Sequence, residues 1–367
     1  MIVFSQKNSF GASDPVSDDD KFGSAVALSA NGQTALVGAL GQNKEQGRVY
    51  YFGHDNKQQW RQLSSFVAKD PASSNDDCFG IAAALSANGS MALIGASNAN
   101  KGKGLVYYFT RTDNSTNWTQ QSVFSASNPV SSDNDQFGIA VALSANAKVA
   151  LVSATHQNLY GKNRGLVYYF TRSDTTWIQQ GLLPAPNPAA DDDEFGTALA
   201  LSADGTLALI GAEKSCSQGH RRGIVYMYTR SDNVWSQRSS LGALASTCSD
   251  GDAFGVSIAL SADGSKAVIG AYEHGFGVGK ERGIAYYFTR TGIAWTQQSV
   301  FFASDPKSAD GDEFGVSIAL TAAGDMTLVG AHFQGGHARG RVYTFGIPGY
   351  PYCDMMRNSF LWGAWFR

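Results

Sequence analysis

Charge is scarce in this chain. Asp, Glu, Lys and Arg make up 16% of the 367 residues and the formal charge is -3. No basic face is therefore available for non-specific nucleic-acid binding. No apolar run approaches the roughly 20 residues of a membrane helix. The start, Met1-Ile2-Val3-Phe4-Ser5-Gln6-Lys7, lacks the charged segment and apolar core of a signal peptide, as a trimmed chain would. Helical periodicity of useful length is missing throughout. So are a nucleophile elbow, an H-x-x-x-H helix and a Cys/His quartet, which leaves hydrolysis and zinc without a visible centre.

What the chain does have is apolar and turn-rich. Hydrophobic residues make up 43%, aromatics 12%, and glycines number 41. That balance fits a well-packed all-β protein. The Phe-Gly pair recurs at Phe22, Phe79, Phe137, Phe195, Phe254 and Phe314, at intervals of 57, 58, 58, 59 and 60 residues. A period of that length suits one four-stranded sheet with its turns.

The fifth copy shows the grammar. Phe254 to Ser261 alternates and predicts strand A, and Ala262-Asp263-Gly264 a hairpin turn. Lys266 to Ala271 is strand B, Gly283 to Arg290 strand C, and Trp295 to Phe301 strand D. Strand B ends in Gly-Ala in every copy but the third, which has Ser153-Ala154. Six copies of four antiparallel strands imply an all-β, six-bladed β-propeller. Small residues on strand A suit the crowded axis, and aromatics on strands C and D suit packing between blades.

The sixth copy stops after strand C, at Arg341 to Phe345. The missing strand stands at the other end. Phe4 to Pro15 aligns without gaps on Trp118 to Pro129, so residues 3–12 are expected to complete the last blade and clasp the ring. The propeller then occupies residues 1–346. Residues 347–367 form a tail with Phe360, Leu361, Trp362, Trp365 and Phe366. Such a tail packs on a propeller face or contacts a membrane or partner.

The Phe-Gly start and Gly-Ala end of each unit resemble the FG-GAP repeats of the integrin α-subunit propeller and its bacterial relatives, over roughly residues 3–346. The resemblance implies a propeller used for binding or adhesion, with calcium as a candidate ion. Two features differ. Integrin propellers have seven blades, and their calcium loops lie between strands A and B. Here that turn is short, as in Ser202-Ala203-Asp204-Gly205-Thr206, and cannot wrap an ion.

The acidic run before Phe-Gly is the strongest chemical signal. Two residues before Phe stand Asp20, Asp77, Asp135, Asp193, Asp252 and Asp312. Four before stand Asp18, Asp133, Asp191, Asp250 and Asp310, with Asn75 in the second copy. Such Asp pairs can shape turns or offer oxygens to Ca²⁺. The loop between strands B and C ends in basic residues, such as Lys101-Gly102-Lys103 and Lys162-Asn163-Arg164. Both loop types emerge on one face, so acid and base can meet as blade-to-blade salt bridges or as a polar ligand face. The B–C loops vary most and carry His156, Tyr160, His220, Tyr272, His274, His332 and His337. Cys216 and Cys248 fall in loops of the same face and are expected to form a disulfide, which would imply an oxidising compartment.

The expectation is a monomeric, non-enzymatic module, secreted or at the cell surface, that presents its loop face to a protein or glycan. The alternatives are a propeller enzyme, such as a metal-assisted hydrolase with its site in the axial channel, and a purely structural scaffold.

Overall fold

In a computed structural model, the chain is described over residues 5–13, 19–54, 59–69, 76–113, 115–127, 132–186, 191–215, 221–244, 251–274, 282–303, 311–331 and 340–346. A first strand, β1 (Ser5–Phe10), precedes five complete meanders. Blade one holds β2 (Phe22–Leu28), β3 (Thr34–Ala39), β4 (Arg48–His54) and β5 (Trp60–Phe66). Blade two holds β6 (Ala82–Leu85), β7 (Met91–Ala96), β8 (Leu105–Thr110) and β9 (Thr119–Phe124). Blade three holds β10 (Val141–Leu143), β11 (Val149–Ala154), β12 (Leu166–Ser173) and β13 (Thr176–Pro184). Blade four holds β14 (Leu199–Leu201), β15 (Leu207–Ala212), β16 (Ile224–Ser231) and β17 (Val234–Leu241). Blade five holds β18 (Ser257–Leu260), β19 (Lys266–Ala271), β20 (Ile284–Thr291) and β21 (Ala294–Phe301). Blade six holds β22 (Ser317–Leu320), β23 (Met326–Ala331) and β24 (Arg341–Gly346), and β1 is its outer strand.

The clasp pairs antiparallel, with Ser5 opposite Gly346 and Phe10 opposite Val342. It follows from the phase of the repeat. Each sequence unit runs D-A-B-C, so it lays the outer strand of one blade and then the inner three of the next. Six whole units close a ring only when the first D meets the last C. Every outer strand also carries a register irregularity at the same level, as between Tyr51 and Phe52 or Tyr287 and Phe288. Bulged edges resist pairing with other chains.

The inner strands are shorter than the alternation suggested. Phe-Gly was expected to open strand A, but in blades two to six it forms a turn ahead of it. The six glycines have φ between +89° and +98°, and the residues before Phe also have positive φ. In blades two to six that backbone keeps Phe-Gly out of the strand, and in blade one it appears as a register irregularity between Phe22 and Ala25. Two short helical turns, Gln42–Glu45 and Ala99–Gly102, are the only helix among the described residues, and their central residues are left-handed.

The turn explains both halves of the repeat. A Cβ on Gly38, at the end of strand B in blade one, would stand 2.0 Å from the Gly80 carbonyl oxygen of blade two. Gly95 meets Gly138 in the same way at 2.0 Å, and Gly330 meets Gly23 at 2.3 Å across the closure. The glycine of Gly-Ala and the glycine of the next Phe-Gly are thus the two sides of one seam. Ser153 is the exception, and there the partner Gly196 leaves room. Each Phe fills the same seam. Phe79 is buried, edge-on to Tyr107 at 5.4 Å and Phe109 at 5.9 Å, and touches Phe66 of the preceding blade. A buried Phe contributes about 1.5–3 kcal/mol.

Two further rings tie the blades. In the A–B turns, Ala30 N–H donates to Ala87 O, Ala87 to Ala145, Ala145 to Ala203, Ala203 to Ala262, Ala262 to Ala322 and Ala322 back to Ala30, at 2.9–3.1 Å. This belt of backbone bonds encircles the axis and crosses the closure. On the outer rim, Gln62, Gln120, Gln179 and Gln297 side chains accept from Ser13, Lys69, Ser127 and Leu244 N–H groups of the preceding unit at 2.9–3.0 Å. Between these rings lies a narrow axial cavity of about 100 Å³, lined by the strand A segments of all six blades.

Candidate functional site

The end of the ring opposite the alanine belt is built from the D–A and B–C loops. A backbone ladder lays the D–A loop of each blade on the B–C loop of the one before. Asp76, Cys78 and Phe79 donate N–H bonds to Lys44, Glu45 and Gln46 carbonyls at 3.2, 2.8 and 3.0 Å. Asn134, Gln136 and Phe137 repeat this on Lys101, Gly102 and Lys103, and Asp192, Glu194 and Phe195 on Lys162, Asn163 and Arg164.

The ladder brings the acidic and basic segments together. Lys103 Nζ lies 3.7 Å from Asp133, Lys162 Nζ 3.6 Å from Asp192, and Arg164 Nε 3.1 Å from Asp191. All three pairs join neighbouring blades and are largely exposed, so the Lys103–Asp133 and Arg164–Asp191 pairs each contribute about 0–1 kcal/mol. The two carboxylates of each described Asp-x-Asp pair part company. Asp133 and Asp191 face solvent and these cations. Asp135, Asp193 and their counterparts Asp20, Asp77, Asp252 and Asp312 are buried beneath the turn. Asp135 accepts the Ser132 N–H at 2.5 Å and Gln157 Nε2 at 3.3 Å. Its burial raises its pKa, against the Ser132 bond and His156.

In the two pairs described whole, Asp133 with Asp135 and Asp191 with Asp193, one carboxylate is exposed and the other buried. Among the described residues, no three His, Cys, Asp or Glu side chains gather as a metal site. Asp18, Asp250 and Asp310 lie outside the described residues, as do His220, His332, His337, Cys216 and Cys248. Cys78 is buried and unpaired; burial first, then Glu45, pushes its thiol up to about 11.

The described ligand-face residues separate. Tyr160 is exposed. His156 is half-buried, with Nε2 3.3 Å from Glu194. Tyr272 is half-buried and donates its hydroxyl to Glu273 Oε1 at 2.8 Å. His274, expected on the exposed face, is instead buried, with Nδ1 2.9 Å from Asp252 Oδ2. It takes the place that Gln157 fills in blade three, under the turn rather than over it. In blade one a cleft of about 900 Å³ opens between the two loops, walled by Asp19, Lys21, Lys44, Glu45 and Arg48.

Two positions were not picked out as such by the sequence, although Tyr272 was among the loop residues named: the residue before Phe-Gly and the residue after Gly-Ala. They carry Lys21, Cys78, Gln136, Glu194, Ala253 and Glu313, and Leu40, Ser97, Thr155, Glu213 and Tyr272. Within a blade they approach each other, as where Thr155 Oγ1 lies 3.5 Å from Gln136 Oε1. Their signal was divergence between flanking constants. The most charged set belongs to blade four. Glu194 accepts from Lys214 Nζ at 2.6 Å as well as facing His156. Burial works to raise its pKa, but these two partners hold it below the ordinary range. Glu213 goes the other way: burial first, then Glu194 and Glu273, outweigh Lys214 and Arg221 and push it up to about 8.

The family model for the FG-GAP repeat matches residues 4–52, 235–288 and 295–345. Each stretch begins at an outer strand and ends in strand C, the same D-A-B-C phase that closes the ring. No curated protein matches the chain. Three FG-GAP repeats are thus recognised in the chain, and its six blades of one grammar form a β-propeller, consistent with an integrin-like FG-GAP propeller.

Proposed function

We propose that this propeller is a non-catalytic binding module, of adhesive type and extracellular setting, whose D–A and B–C loops present a ligand face to a protein or glycan. One observation carries the reading. At the loop end, equivalent positions differ from blade to blade, as in Gln136, Glu194, Ala253 and Glu313. At the turn end they repeat, as in Ser86-Asn88, Ser144-Asn146, Ser202-Asp204 and Ser261-Asp263, each joined by a hydroxyl bond of 2.6–2.9 Å. A scaffold that served structure alone would have no reason to vary one end only.

The test is to screen the chain against protein and glycan arrays, with calcium and with a chelator. Variants at the loop end (Lys162→Ala, Glu273→Ala) should weaken capture, and variants at the turn end (Lys148→Ala, Asp232→Ala) should not. Equal losses at both ends would sink the reading. Loss of capture in chelator alone would bring calcium into it. Turnover of an array ligand would favour the enzyme alternative.

A further inference from the structure

The cleft of about 900 Å³ in blade one lies between the D–A loop, at Asp19, Asp20 and Lys21, and the B–C loop, from Gly41 to Glu45, with Arg48 at the start of β4. That volume is near the upper end for small-ligand sites, about 300–1,000 Å³. It admits a short oligomer rather than a lone ion. Two of its walls set this blade apart. The residue that opens strand C is Leu105, Leu166, Ile224 and Ile284 in blades two to five, and Arg48 here. The residue before Phe-Gly is Lys21, where the other blades carry Cys78, Gln136, Glu194, Ala253 and Glu313. Blade six repeats the arginine as Arg341 but has Glu313 in place of the lysine. Blade one alone combines the two cations.

The arginine is held in position. Its Nε donates to Gln42 Oε1 and its Nη1 to Ser65 Oγ at 2.9 Å, while Gln42 Nε2 donates to the Tyr50 hydroxyl at 3.0 Å. Tyr50 is buried, so these bonds tie the guanidinium to the core and leave Nη2 uncommitted. Lys21 Nζ stands 3.9 Å from Glu45, too far for a hydrogen bond, and both side chains are partly exposed. Both remain open to a ligand.

The chemistry narrows that ligand. No apolar side chain stands among the described residues that wall the cleft. Protein partners anchor in well-packed, desolvated pockets, which this cleft does not offer. Arg48 and Lys21 suit a carboxylate, through charge-assisted hydrogen bonds. Asp19 and Glu45 accept from hydroxyls and repel a denser anion such as a phosphate dianion. A ring that carries one carboxylate among several hydroxyls matches both sets.

We propose that the blade-one cleft binds an acidic oligosaccharide, with hexuronate carboxylates on Arg48 and Lys21 and sugar hydroxyls on Asp19 and Glu45. This names a ligand class for the binding reading and rests on it.

The test applies the full chain to immobilised oligogalacturonate, to its carboxyl-reduced form, and to the protein array. Wild type should bind the uronate, bind the reduced form about ten-fold more weakly or less, and release the uronate as salt rises. Arg48→Leu supplies the residue type of blades two and three, and Lys21→Gln that of blade three. Both variants should keep the wild-type unfolding temperature and lose about ten-fold in uronate binding. Uronate binding indifferent to both substitutions would overturn the cleft and leave the binding module standing. Equal or tighter binding of the reduced form would overturn the acidic sugar. Capture of proteins alone would do the same and keep the module. No capture of any glycan or protein would overturn both.

Discussion

Asp263 and Glu213 lie at opposite ends of the ring and are held in opposite ways. Asp263 sits in the A–B turn of blade five. Burial alone would raise its pKa, but Ser261 Oγ and the Ser265 N–H and Oγ all donate to it and lower it to about 2. Glu213 sits at the loop end of blade four, where burial and like charge raise it to about 8. The turn end places acids where the fold satisfies them. The loop end places one where the fold does not. Repeated satisfaction at equivalent turns is a structural design.

The seams belong to both ends, so breaking them is the severest test. Deleting residues 1–12 removes β1, its pairing with β24, and the packing of Phe10 on Phe52 and Trp60. It leaves blade six with an open edge. The expected loss is about 5 kcal/mol or more, or the end of cooperative melting. Unchanged calorimetric unfolding would remove the clasp from the account. Next in size is Gly95→Ser, which forces a Cβ toward Gly138 O at 2.0 Å. It should cost about 2–4 kcal/mol. Ser153→Gly, at the one seam that already admits a side chain, should cost about 1 kcal/mol or less. Equal urea midpoints for the two variants would refute the seam argument.

Two substitutions then sharpen the contrast between the ends. Glu213 has a folded pKa above its unfolded one. Its neutral form is at no disadvantage below about pH 4.5, and stability is lost as pH rises toward about 8. Glu213→Gln should therefore change little near pH 4 and stabilise by about 2–4 kcal/mol above pH 8. Asp263 has a folded pKa below its unfolded one, so its contribution is present above about pH 4 and disappears as pH falls through about 2. Because Asp263 is exposed, solvent screening limits Asp263→Ala to about 0.5–1 kcal/mol at neutral pH. Urea unfolding of both variants from pH 3 to pH 9 measures the opposite slopes. Slopes of the same sign would erase the distinction.

The architecture was open to reading because it is written six times. Phe-Gly, the short A–B turn, Gly-Ala and the alignment of Phe4 on Trp118 each point to one blade and one closure. What stayed hidden was anything defined by two blades at once. The meeting of Gly38 with Gly80, or the alanine belt, cannot be read from one unit because neither partner is in that unit. The same holds for the site. Asp133 and Asp135 look alike in sequence, yet the chain turns between them, so one faces Lys103 of the preceding blade and the other Gln157 beneath the turn. His274 looked like a surface histidine because its partner Asp252 lies 22 residues away. Glu213 had no motif at all. Only its unlikeness to Leu40, Ser97 and Thr155 marked it.

The smallest effect separates stability from recognition at the loop end. Lys103 and Arg164 bridge blades through Asp133 and Asp191, but these side chains are between 32% and 59% exposed. Each bridge forms in water, is screened by salt and costs side-chain entropy. The adjacent backbone ladder, Phe137 N–H to Lys103 O and Phe195 N–H to Arg164 O, does not depend on either charge. Lys103→Ala and Arg164→Ala should therefore each shift stability by less than about 0.5 kcal/mol, with no dependence on salt beyond that range. Their effect on ligand capture should be far larger than their effect on melting if the loop end is the binding face. Melting that falls by several degrees, with capture unchanged, would make these charges fasteners of the ring and assign the loop end to structure.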